Sequence, residues 1–476
     1  MSTISKSFSL LLIVILAVSS LTVIFATIPF GLAQSGTNVS GIIASDTTWT
    51  QADSPYNLTG DILISSGTTL TVGMGSTLNL DGYYIMVNGS LIIQQGSTIN
   101  MGNADAYIQV NGVLSAIGTN NNPIQINGNV AGVTEFGPAY YSYITFSVSS
   151  TGWNDATNSG SIIENAVVNL TELDVSTSVK VSNDTISGGE MDILGGSPLI
   201  YGNSISTLVY IKGGNCLLSN NNVVNGFILY SGEDGGDGAT IINNVISNAE
   251  YVSDFRDGIW FSGEPIGNVL IENNLISDNI YGIQIFSPNV SVMPTTLTIQ
   301  NNTITNNNVG IWVSNAYQPT IIENNFPNNT LNIQLVITGY EGHSNNVDAS
   351  NNWWGTTDAQ AINQTIYDFK NDFNLGTVNF VPFLTEPNPE ALPNQNPSIS
   401  TTIASPSPTP IQNSTSSITP TTQSTPSTIP SSTLSPTPAP TVPEFPTWII
   451  LPLFAVAILL STVFIRKRIP KKNITF

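Results

Sequence analysis

The stretch LIENNLI, residues 270–276, decides the fold of this chain, because its pattern recurs along most of the sequence. Each copy has a branched apolar pair, one or two asparagines, a second apolar pair and a glycine-rich turn. Other clear copies are IINNVI at 241–246, LTIQNNTI at 297–304 and IIENNF at 321–326. With the first asparagine position as the marker, nine copies fall at Asn165, Asn183, Gly202, Asn221, Asn243, Asn273, Asn301, Asn324 and Asn351.

These copies follow one another at steps of 18 to 30 residues, and a unit of this length cannot bury its own apolar face. Such units stack on copies of themselves, so the repeat predicts a solenoid. Apolar and polar residues alternate within each copy, which predicts parallel β-strands. An asparagine at the same turn of every unit can form a hydrogen-bonded ladder while it adopts the left-handed backbone of a tight turn. Three further units fit upstream, at Gly67, Gly89 and Gly112.

The asparagine ladder and the segment NNWWGTTD at 351–358 resemble the right-handed parallel β-helix family of pectate-lyase-like proteins and prokaryotic surface proteins. The resemblance covers roughly residues 45 to 385 and implies an all-β, right-handed parallel β-helix. It extends to the periplasmic copper-binding protein of nitrous-oxide reductase maturation. Copper prefers His, Met or Cys ligands, however, and here one His, one Cys and six scattered Met form no cluster. This scaffold hosts enzymes, adhesins and spacers alike, so the fold leaves function open.

The rest of the sequence divides into four segments. Residues 1–33 read as a secretory signal peptide, with an uncleaved anchor as the alternative, and 34–386 form the β-helix ectodomain. Residues 387–445 are rich in Pro, Ser and Thr, which is typical of an extended stalk. Residues 446–476 contain an apolar run long enough to cross a bilayer as one transmembrane helix, followed by five basic residues. Residues 442–446, VPEFP, resemble the PEF-type C-terminal sorting signal of archaeal surface proteins, which implies possible replacement of the anchor by lipid.

This organisation predicts a protein on the extracellular face of the plasma membrane, with its C-terminal tail in the cytoplasm. All 31 acidic residues precede the anchor, but only four of the ten basic residues lie within that exterior part, at Lys180, Lys212, Arg256 and Lys370. So acidic a surface argues against nucleic acid as a partner. We expect a cell-surface or extracellular polysaccharide, or a surface-layer protein. Several Asn-x-Ser/Thr sequons make a glycoprotein plausible.

A catalytic site is most plausible around Arg256. A lyase needs a basic residue to take a proton, and Arg256 lies in an insertion between Asp254 and Asp257. The polygalacturonase motifs are incomplete, since the chain has no GHG sequence. The alternative is a solvated acidic turn in which Arg256 pairs with one of these aspartates.

A calcium site is the next candidate, in the loops before and after that insertion. Glu233, Asp234, Asp237 and Glu264 would place several carboxylates on glycine-rich loops, and Ca²⁺ prefers such oxygen ligands. Like charges held close together would repel without an ion. The known helix-loop-helix and nonapeptide calcium motifs are absent, and a plain acidic turn explains the same residues.

Four aromatic residues fall on comparable turns of neighbouring units: Trp260, Tyr281, Trp312 and Tyr317. Such a strip could stack on sugar rings and bind carbohydrate. The alternative is that several of these side chains point inward and fill the core.

The C-terminal end of the solenoid needs a cap, because an open end exposes strand edges. Thr357, Asp358 and Gln360 predict the start of a short capping helix. Its apolar face would hold the residues Ile362, Ile366, Phe369 and Phe373, and Trp353 and Trp354 would close the last unit.

Taken together, the sequence predicts a displayed surface protein with a structural or carbohydrate-binding, adhesive function. The alternative is a polysaccharide lyase or glycoside hydrolase, with possible dependence on calcium, that works through Arg256 and the neighbouring carboxylates. The scarcity of basic residues and histidine disfavours catalysis, and the stalk favours display.

Overall fold

A computed structural model describes residues 36–102, 105–128, 141–224, 228–230, 238–247, 257–262, 267–286, 296–314, 318–338 and 344–393. These residues are predominantly β, as the alternating pattern predicted, and their strands form long parallel sheets. No helix among them is long and apolar enough to cross a membrane. The predicted signal peptide and transmembrane segment both lie outside the described residues.

The strands form three columns, and in each column a strand pairs in parallel with its counterpart from the next repeat. Column 1 is a sheet of twelve short strands. Its members are β2(Thr47–Trp49), β4(Thr69–Val72), β7(Ser90–Gln94), β10(Val113–Ile117), β13(Ile162–Glu164), β15(Lys180–Ser182), β17(Leu199–Tyr201), β20(Asn215–Ser219), β23(Gly238–Ile242), β26(Asn268–Glu272), β29(Leu297–Gln300) and β32(Thr320–Ile322).

Columns 2 and 3 belong to one larger sheet of 22 strands, because four long strands run through both. These shared strands are β1(Thr37–Ile43), β3(Tyr56–Ile64), β14(Ala166–Val175) and β16(Thr185–Ile193). Column 2 also holds β5(Thr77–Asn79), β8(Thr98–Asn100), β11(Ile124–Asn127), β18(Ser204–Ile205), β21(Asn222–Val224), β24(Val245–Ser247), β27(Leu275–Ser277) and β30(Thr303–Thr305). Column 3 also holds β6(Tyr84–Val87), β9(Ala106–Val110), β12(Ser142–Phe146), β19(Leu208–Ile211), β22(Ile228–Tyr230), β25(Asp257–Ser262), β28(Tyr281–Phe286), β31(Val309–Ser314), β33(Leu331–Val336) and β35(Ile366–Tyr367).

The core lies between the columns and consists of side chains in register from repeat to repeat. In column 1, Ile271, Ile299 and Ile321 are direct neighbours on successive strands and are almost fully buried. Side chains on a strand alternate between two faces, so the residues on either side of each isoleucine point outward. This alternation separates a continuous apolar interior from three polar outer faces.

The two successive positions that the paired asparagines occupy in most repeats have separate functions, where the sequence suggested one. The first position adopts the left-handed conformation, with φ near +53° at Asn273 and Asn301. The second position, which is buried, forms the ladder. Our assignment of Asn221 and Asn324 to the turn position was therefore wrong, because the left-handed residues there are Asn220 and Glu323.

Asn274 shows how the ladder works. Its Oδ1 accepts hydrogen bonds from the backbone N–H and the Nδ2 of Asn244, at 2.8 and 3.0 Å. Its Nδ2 donates to Oδ1 of Asn302 at 2.9 Å and to the Ile241 carbonyl oxygen at 2.8 Å. Each amide thus satisfies backbone groups at a buried corner, where unpaired polar groups are costly. The complete ladder runs through Asp184, Asn203, Asn221, Asn244, Asn274, Asn302, Asn324 and Asn352.

The ladder begins at an aspartate, Asp184, instead of an asparagine. Its Oδ1 accepts from the Ala166 N–H at 2.7 Å, but its buried Oδ2 has no hydrogen-bond partner among the described residues. Burial raises the pKa of this carboxyl to about 8, with the Ala166 hydrogen bond acting against this rise and the nearby charge of Glu164 contributing to it. The folded chain therefore holds Asp184 protonated at neutral pH.

Helix α1 (Ala359–Gln364) lies near the C-terminal end and begins where the sequence predicted. Asp358 caps it by accepting from the N–H groups of Gln360 and Ala361. Ile362 is buried, but the helix ends after six residues and Ile366 already belongs to β35. The predicted apolar helix face was therefore wrong beyond Ile362, and two of its members, Phe369 and Phe373, are exposed. Two further strands, β34(Val347–Asp348) and β36(Val378–Asn379), form a separate two-stranded parallel sheet.

The chain then runs back along the repeats, and we call residues 384–391 the strap. Asn388 exchanges two hydrogen bonds with Asn325, at 2.8 and 2.9 Å, and donates to Oδ1 of Asn301 at 2.9 Å. Asn273 donates to the Glu390 carbonyl oxygen at 3.0 Å, and Ala391 is fully buried. Asn325 and the left-handed Asn273 and Asn301 thus hold the strap, which includes the first five residues of the segment assigned to the stalk.

Replacing a ladder asparagine should destabilise the protein more than replacing an exposed left-handed one. Asn274→Ala leaves donors and acceptors of two neighbouring repeats buried and unpaired, which costs about 3 kcal/mol or more. The matched control Asn306→Ala changes an exposed residue with φ +58°, where the strain of alanine costs only about 1 kcal/mol. Urea unfolding of both variants measures the difference, and equal losses would show that the ladder does not stabilise the fold.

Asp184→Asn should change how stability depends on pH. Between pH about 4 and about 8 the unfolded chain releases this proton while the folded chain keeps it, so wild-type stability falls as pH rises through that window. The asparagine removes this loss and extends the ladder. We expect a flatter pH profile of the unfolding free energy and the largest gain near pH 8. Exposed Asp278→Asn is the matched control, and a profile unchanged by Asp184→Asn would contradict the assignment.

Candidate functional site

The structure describes only one of the three predicted catalytic residues. Arg256 and Asp254 lie outside the described residues, whereas Asp257 is the first residue of β25. Asp257 is only 1 % exposed, and neither carboxylate oxygen has a hydrogen-bond partner in the described part of the chain. Burial alone raises its pKa to about 7. The predicted calcium ligands Glu233, Asp234, Asp237 and Glu264 also lie outside the described residues.

Three of the four predicted aromatic residues lie in column 3. Trp260 and Trp312 follow inward-facing isoleucines on β25 and β31, so the alternation places both on the outer face. Tyr281 contacts Trp312 edge-on, with ring centroids 6.2 Å apart. Trp260 packs with Tyr210 against Leu208 in a small apolar cluster separate from the core. Tyr317 lies outside the described residues.

Two files of side chains run along the outer face of column 3, and Trp260 and Trp312 belong to the second of them. Members of a file are direct register neighbours on successive strands, so they lie about 4.8 Å apart along the axis. The first file contains Tyr84, Tyr107, Tyr143, Glu172, Glu190 and Leu208. The second contains Gln109, Thr145, Asp174, Asp192 and Tyr210 and continues farther along with Trp260, Gln284, Trp312, Gln334 and Tyr367.

The first file begins with a stack of tyrosines. The rings of Tyr84, Tyr107 and Tyr143 have centroids 4.8 Å apart at each step and are nearly parallel, at 7° and 3°. Stacked rings cover each other's faces, so the stack offers ring edges and hydroxyl groups. Its last ring, Tyr143, is the register partner of Glu172. Burial raises the pKa of the Tyr143 hydroxyl, and the charges of Tyr107, Asp174 and Glu172 raise it further.

Beyond the tyrosines, four carboxyl groups from two adjacent strands form what we call the acidic cluster: Glu172, Asp174, Glu190 and Asp192. Glu172, Asp174 and Asp192 each place a carboxylate oxygen within 4.8 Å of the others. Burial raises the pKa of Asp174 to about 8, assisted by the charge of Glu172 and a hydrogen bond to it. Burial and the charge of Asp192 likewise raise the pKa of Glu190. At neutral pH, Asp174 therefore carries a proton.

Lys212 supplies the one cation that contacts the acidic cluster among the described residues. Its ammonium forms an ion pair with Asp192 and lies over the ring of Tyr210, 4.3 Å from the centroid. Burial lowers the pKa of Lys212, but the hydrogen bond and charge of Asp192 outweigh this effect and raise it. Asp192 is only 2 % exposed, and its Oδ1 has no hydrogen-bond partner in the described part of the chain.

Sequence reasoning missed the acidic cluster, although the sequence contains a signal for it. The motif Glu-x-Asp occurs at 172–174 and again at 190–192. The separation of 18 residues equals the step between the repeat markers Asn165 and Asn183, so the two motifs had to stack. The chemistry available here is proton donation by Asp174, acceptance of hydrogen bonds and cations by its neighbours, and contact with aromatic rings on both sides.

Comparisons with known proteins add no functional evidence. No protein-family model matches the chain, and no curated protein or solved structure is detectably similar to it. A functional assignment therefore depends on the chemistry of the outer face of column 3.

Changes at two neighbours should move the pKa of Asp174 in opposite directions. Glu172→Gln removes the negative charge beside it and should lower that pKa, whereas Lys212→Met removes a positive charge and should raise it. Carbon NMR titration of aspartate-labelled protein measures both shifts. If the pKa of Asp174 responds to neither change, these carboxyl groups are not coupled as the structure places them.

Proposed function

We propose that this chain is a cell-surface protein that winds as a right-handed parallel β-helix and binds carbohydrate on the outer face of column 3. The three columns of parallel strands and the repeat of 18 to 30 residues support the β-helix. The right-handed sense follows from the resemblance to the pectate-lyase-like family. The leader, the Pro/Ser/Thr segment and the apolar C-terminal run support export, a stalk and an anchor.

The observation that carries the carbohydrate proposal is the pair of files on column 3. They combine aromatic side chains with carboxylates in strict register, including Tyr143, Glu172, Asp192 and Tyr210. Carboxylates accept hydrogen bonds from sugar hydroxyls, and aromatic rings pack against the apolar faces of sugars. A file along the axis also suits a polymer, because each repeat can present the same groups to successive sugar units. The proposed partner is therefore an extracellular or cell-surface polysaccharide.

A glycan-binding measurement with the full chain tests this proposal. Tyr143→Ala opens the end of the tyrosine stack beside Glu172 and should weaken polysaccharide binding about tenfold or more. Tyr201→Ala is the matched control, because Tyr201 lies on the outer face of column 1, where Ile200 beside it is buried. Affinity electrophoresis against a panel of neutral, acidic and amino-substituted polysaccharides gives the readout.

Two results would count against the carbohydrate proposal. The first is no binding to any polysaccharide in the panel. The second is equal loss from Tyr143→Ala and Tyr201→Ala, which would locate any binding elsewhere. A surface-layer protein would then be the better candidate partner.

Glycoside hydrolysis is the second candidate, because Asp174 keeps its proton near neutral pH and lies beside two further carboxyl groups, those of Glu172 and Asp192. In that reaction Asp174 donates its proton to the glycosidic oxygen as the C–O bond breaks. Glu172, whose carboxylate oxygen lies within 4.8 Å of that of Asp174, attacks the anomeric carbon to form a glycosyl ester, and a water molecule that gives its proton to Asp174 then hydrolyses this ester. This mechanism moves the chemistry from the vicinity of Arg256 to the acidic cluster.

Asp174→Asn tests hydrolysis separately from binding. If the cluster is catalytic, the wild-type protein releases reducing ends from a bound polysaccharide and Asp174→Asn abolishes this release while binding persists. Mass spectrometry of the soluble products provides the readout, with Arg256→Ala in parallel. Products that depend on Arg256 but not on Asp174 would favour a lyase, and no products with wild type would leave binding as the function.

A further inference from the structure

Lys212 shows how the outer face of column 3 binds an ammonium group. Its Nζ is held between two register neighbours, the carboxylate of Asp192 and the ring of Tyr210. A buried carboxylate and an aromatic face are the two groups that recognise ammonium cations in proteins. Lys212 is therefore an internal example of the ligand chemistry that this surface supports.

The same pair of groups occurs two strands away without a cation. Tyr143 and Glu172 are also direct register neighbours, and Asp174 lies on the same strand as Glu172. The described residues place no lysine or arginine in a salt bridge with Glu172 or Asp174. A buried Oδ1 of Asp174 lacks a hydrogen-bond partner in the described part of the chain, and so does Oδ1 of Asp192, whose side chain is almost fully buried.

These unpartnered oxygens are acceptors that an incoming donor would satisfy. Burying them without a partner costs free energy, so a ligand that donates to them gains by pairing them. Because the four carboxyl groups face one lysine among the described residues, the local charge there is negative, and it repels the carboxylates of uronic acids. A positively charged donor fits this environment best.

We infer, on the basis of the carbohydrate function proposed above, that Tyr143, Glu172 and Asp174 bind the ammonium group of an amino-sugar polymer, with Asp192 as a further acceptor. This site has the same two groups as the pair of Asp192 and Tyr210 around Lys212, with the tyrosine and the carboxylate in the opposite order along the axis. The neighbouring tyrosine edges and hydroxyls contact the sugar units on one side. Charged amino groups, not acidic groups, then determine which polysaccharide binds.

A lysine-rich protein would supply the same ammonium chemistry. We favour the polymer of sugars because the tyrosine stack beside Glu172 extends the site over three strands with side chains suited to sugar hydroxyls. A flexible lysine side chain would use the carboxylates without needing that stack. A substitution of Tyr107 therefore distinguishes the two kinds of ligand, because only binding of the sugar polymer should depend on it.

The test compares two oligosaccharides of equal length that differ only in charge. Glucosamine oligomers carry an ammonium on each sugar, and their fully N-acetylated counterparts do not. Binding to the full chain is measured by calorimetry at pH about 6 and low salt, with EDTA present to remove divalent cations. We expect the charged oligomer to bind at least about tenfold more tightly, and polygalacturonate not to compete.

Single substitutions show which residues cause the preference for the charged oligomer over the acetylated one. Glu172→Gln keeps the shape of the side chain and removes its charge, so it should reduce the tenfold preference to near unity. Asp192→Asn provides a second variant if Glu172→Gln folds poorly, because it leaves the positive charge of Lys212 uncompensated beside the site and should reduce the preference as well. Glu272→Gln is the matched control, because Glu272 lies on column 1, and it should retain the full preference. Tyr107→Ala should weaken binding of the glucosamine oligomer but leave binding of polylysine unchanged.

The outcomes separate this inference from the proposed function. If acetylated and charged oligomers bind equally and Glu172→Gln has no effect, the ammonium inference is wrong although the carbohydrate function stands. If no saccharide binds, both are wrong. If polylysine binds as tightly as the glucosamine oligomer and Tyr107→Ala affects neither, the site recognises cations without selecting a sugar, and the amino-sugar assignment is overturned.

Discussion

Parallel register is the constraint on which this structure depends, because it places chemically identical positions directly above one another. Each repeat turns a corner where backbone groups would be buried without partners. Asn274 and its counterparts resolve this problem, since one amide can accept from the repeat before it and donate to the repeat after it. Asparagine is suited to such a chain of bonds because its side chain has both a donor and an acceptor. The left-handed residue that precedes it makes the corner tight enough for this exchange.

The register that lets side-chain amides hydrogen-bond from repeat to repeat also brings like charges close together, which is unfavourable. Glu172 lies beside Glu190, and Asp174 beside Asp192, so carboxylates approach one another on a partly buried surface. The protein responds in two ways, by retaining a proton on Asp174 and by placing Lys212 against Asp192. An arrangement that raises pKa values in this manner has no structural benefit comparable to that of the asparagine ladder, and perturbed titratable groups are typical of functional sites.

Much of the fold could be predicted from the sequence, because the repeat step and the alternation of residues such as Ile271 and Ile299 reflect local and periodic properties. The division between turn and ladder asparagines could not be predicted, since Asn273 and Asn274 have the same side chain and differ only in backbone conformation. The length of helix α1 could not be predicted from the sequence pattern either. Ile366 has the spacing of a helix face, but it pairs with Ile333 as a strand residue. The 18-residue spacing of the two Glu-x-Asp motifs was sufficient to predict the acidic cluster, whereas the glycine-rich insertion pointed to Arg256 instead.

Alternation along each strand explains how one sheet can serve stability and function at once. Leu173 and Met191 point into the core between the carboxylates of β14 and β16, and both are fully or almost fully buried. The backbone that holds Asp174 and Asp192 is thus fixed by apolar packing that their own charges do not disturb. Outer-face residues can therefore change without loss of the core, and a row of adjacent repeats can acquire a continuous binding surface one side chain at a time. On the surface proposed above to bind an amino-sugar polymer, Lys212 already pairs with Asp192, and the ammonium group of the proposed ligand would take the position beside Tyr143 and Glu172.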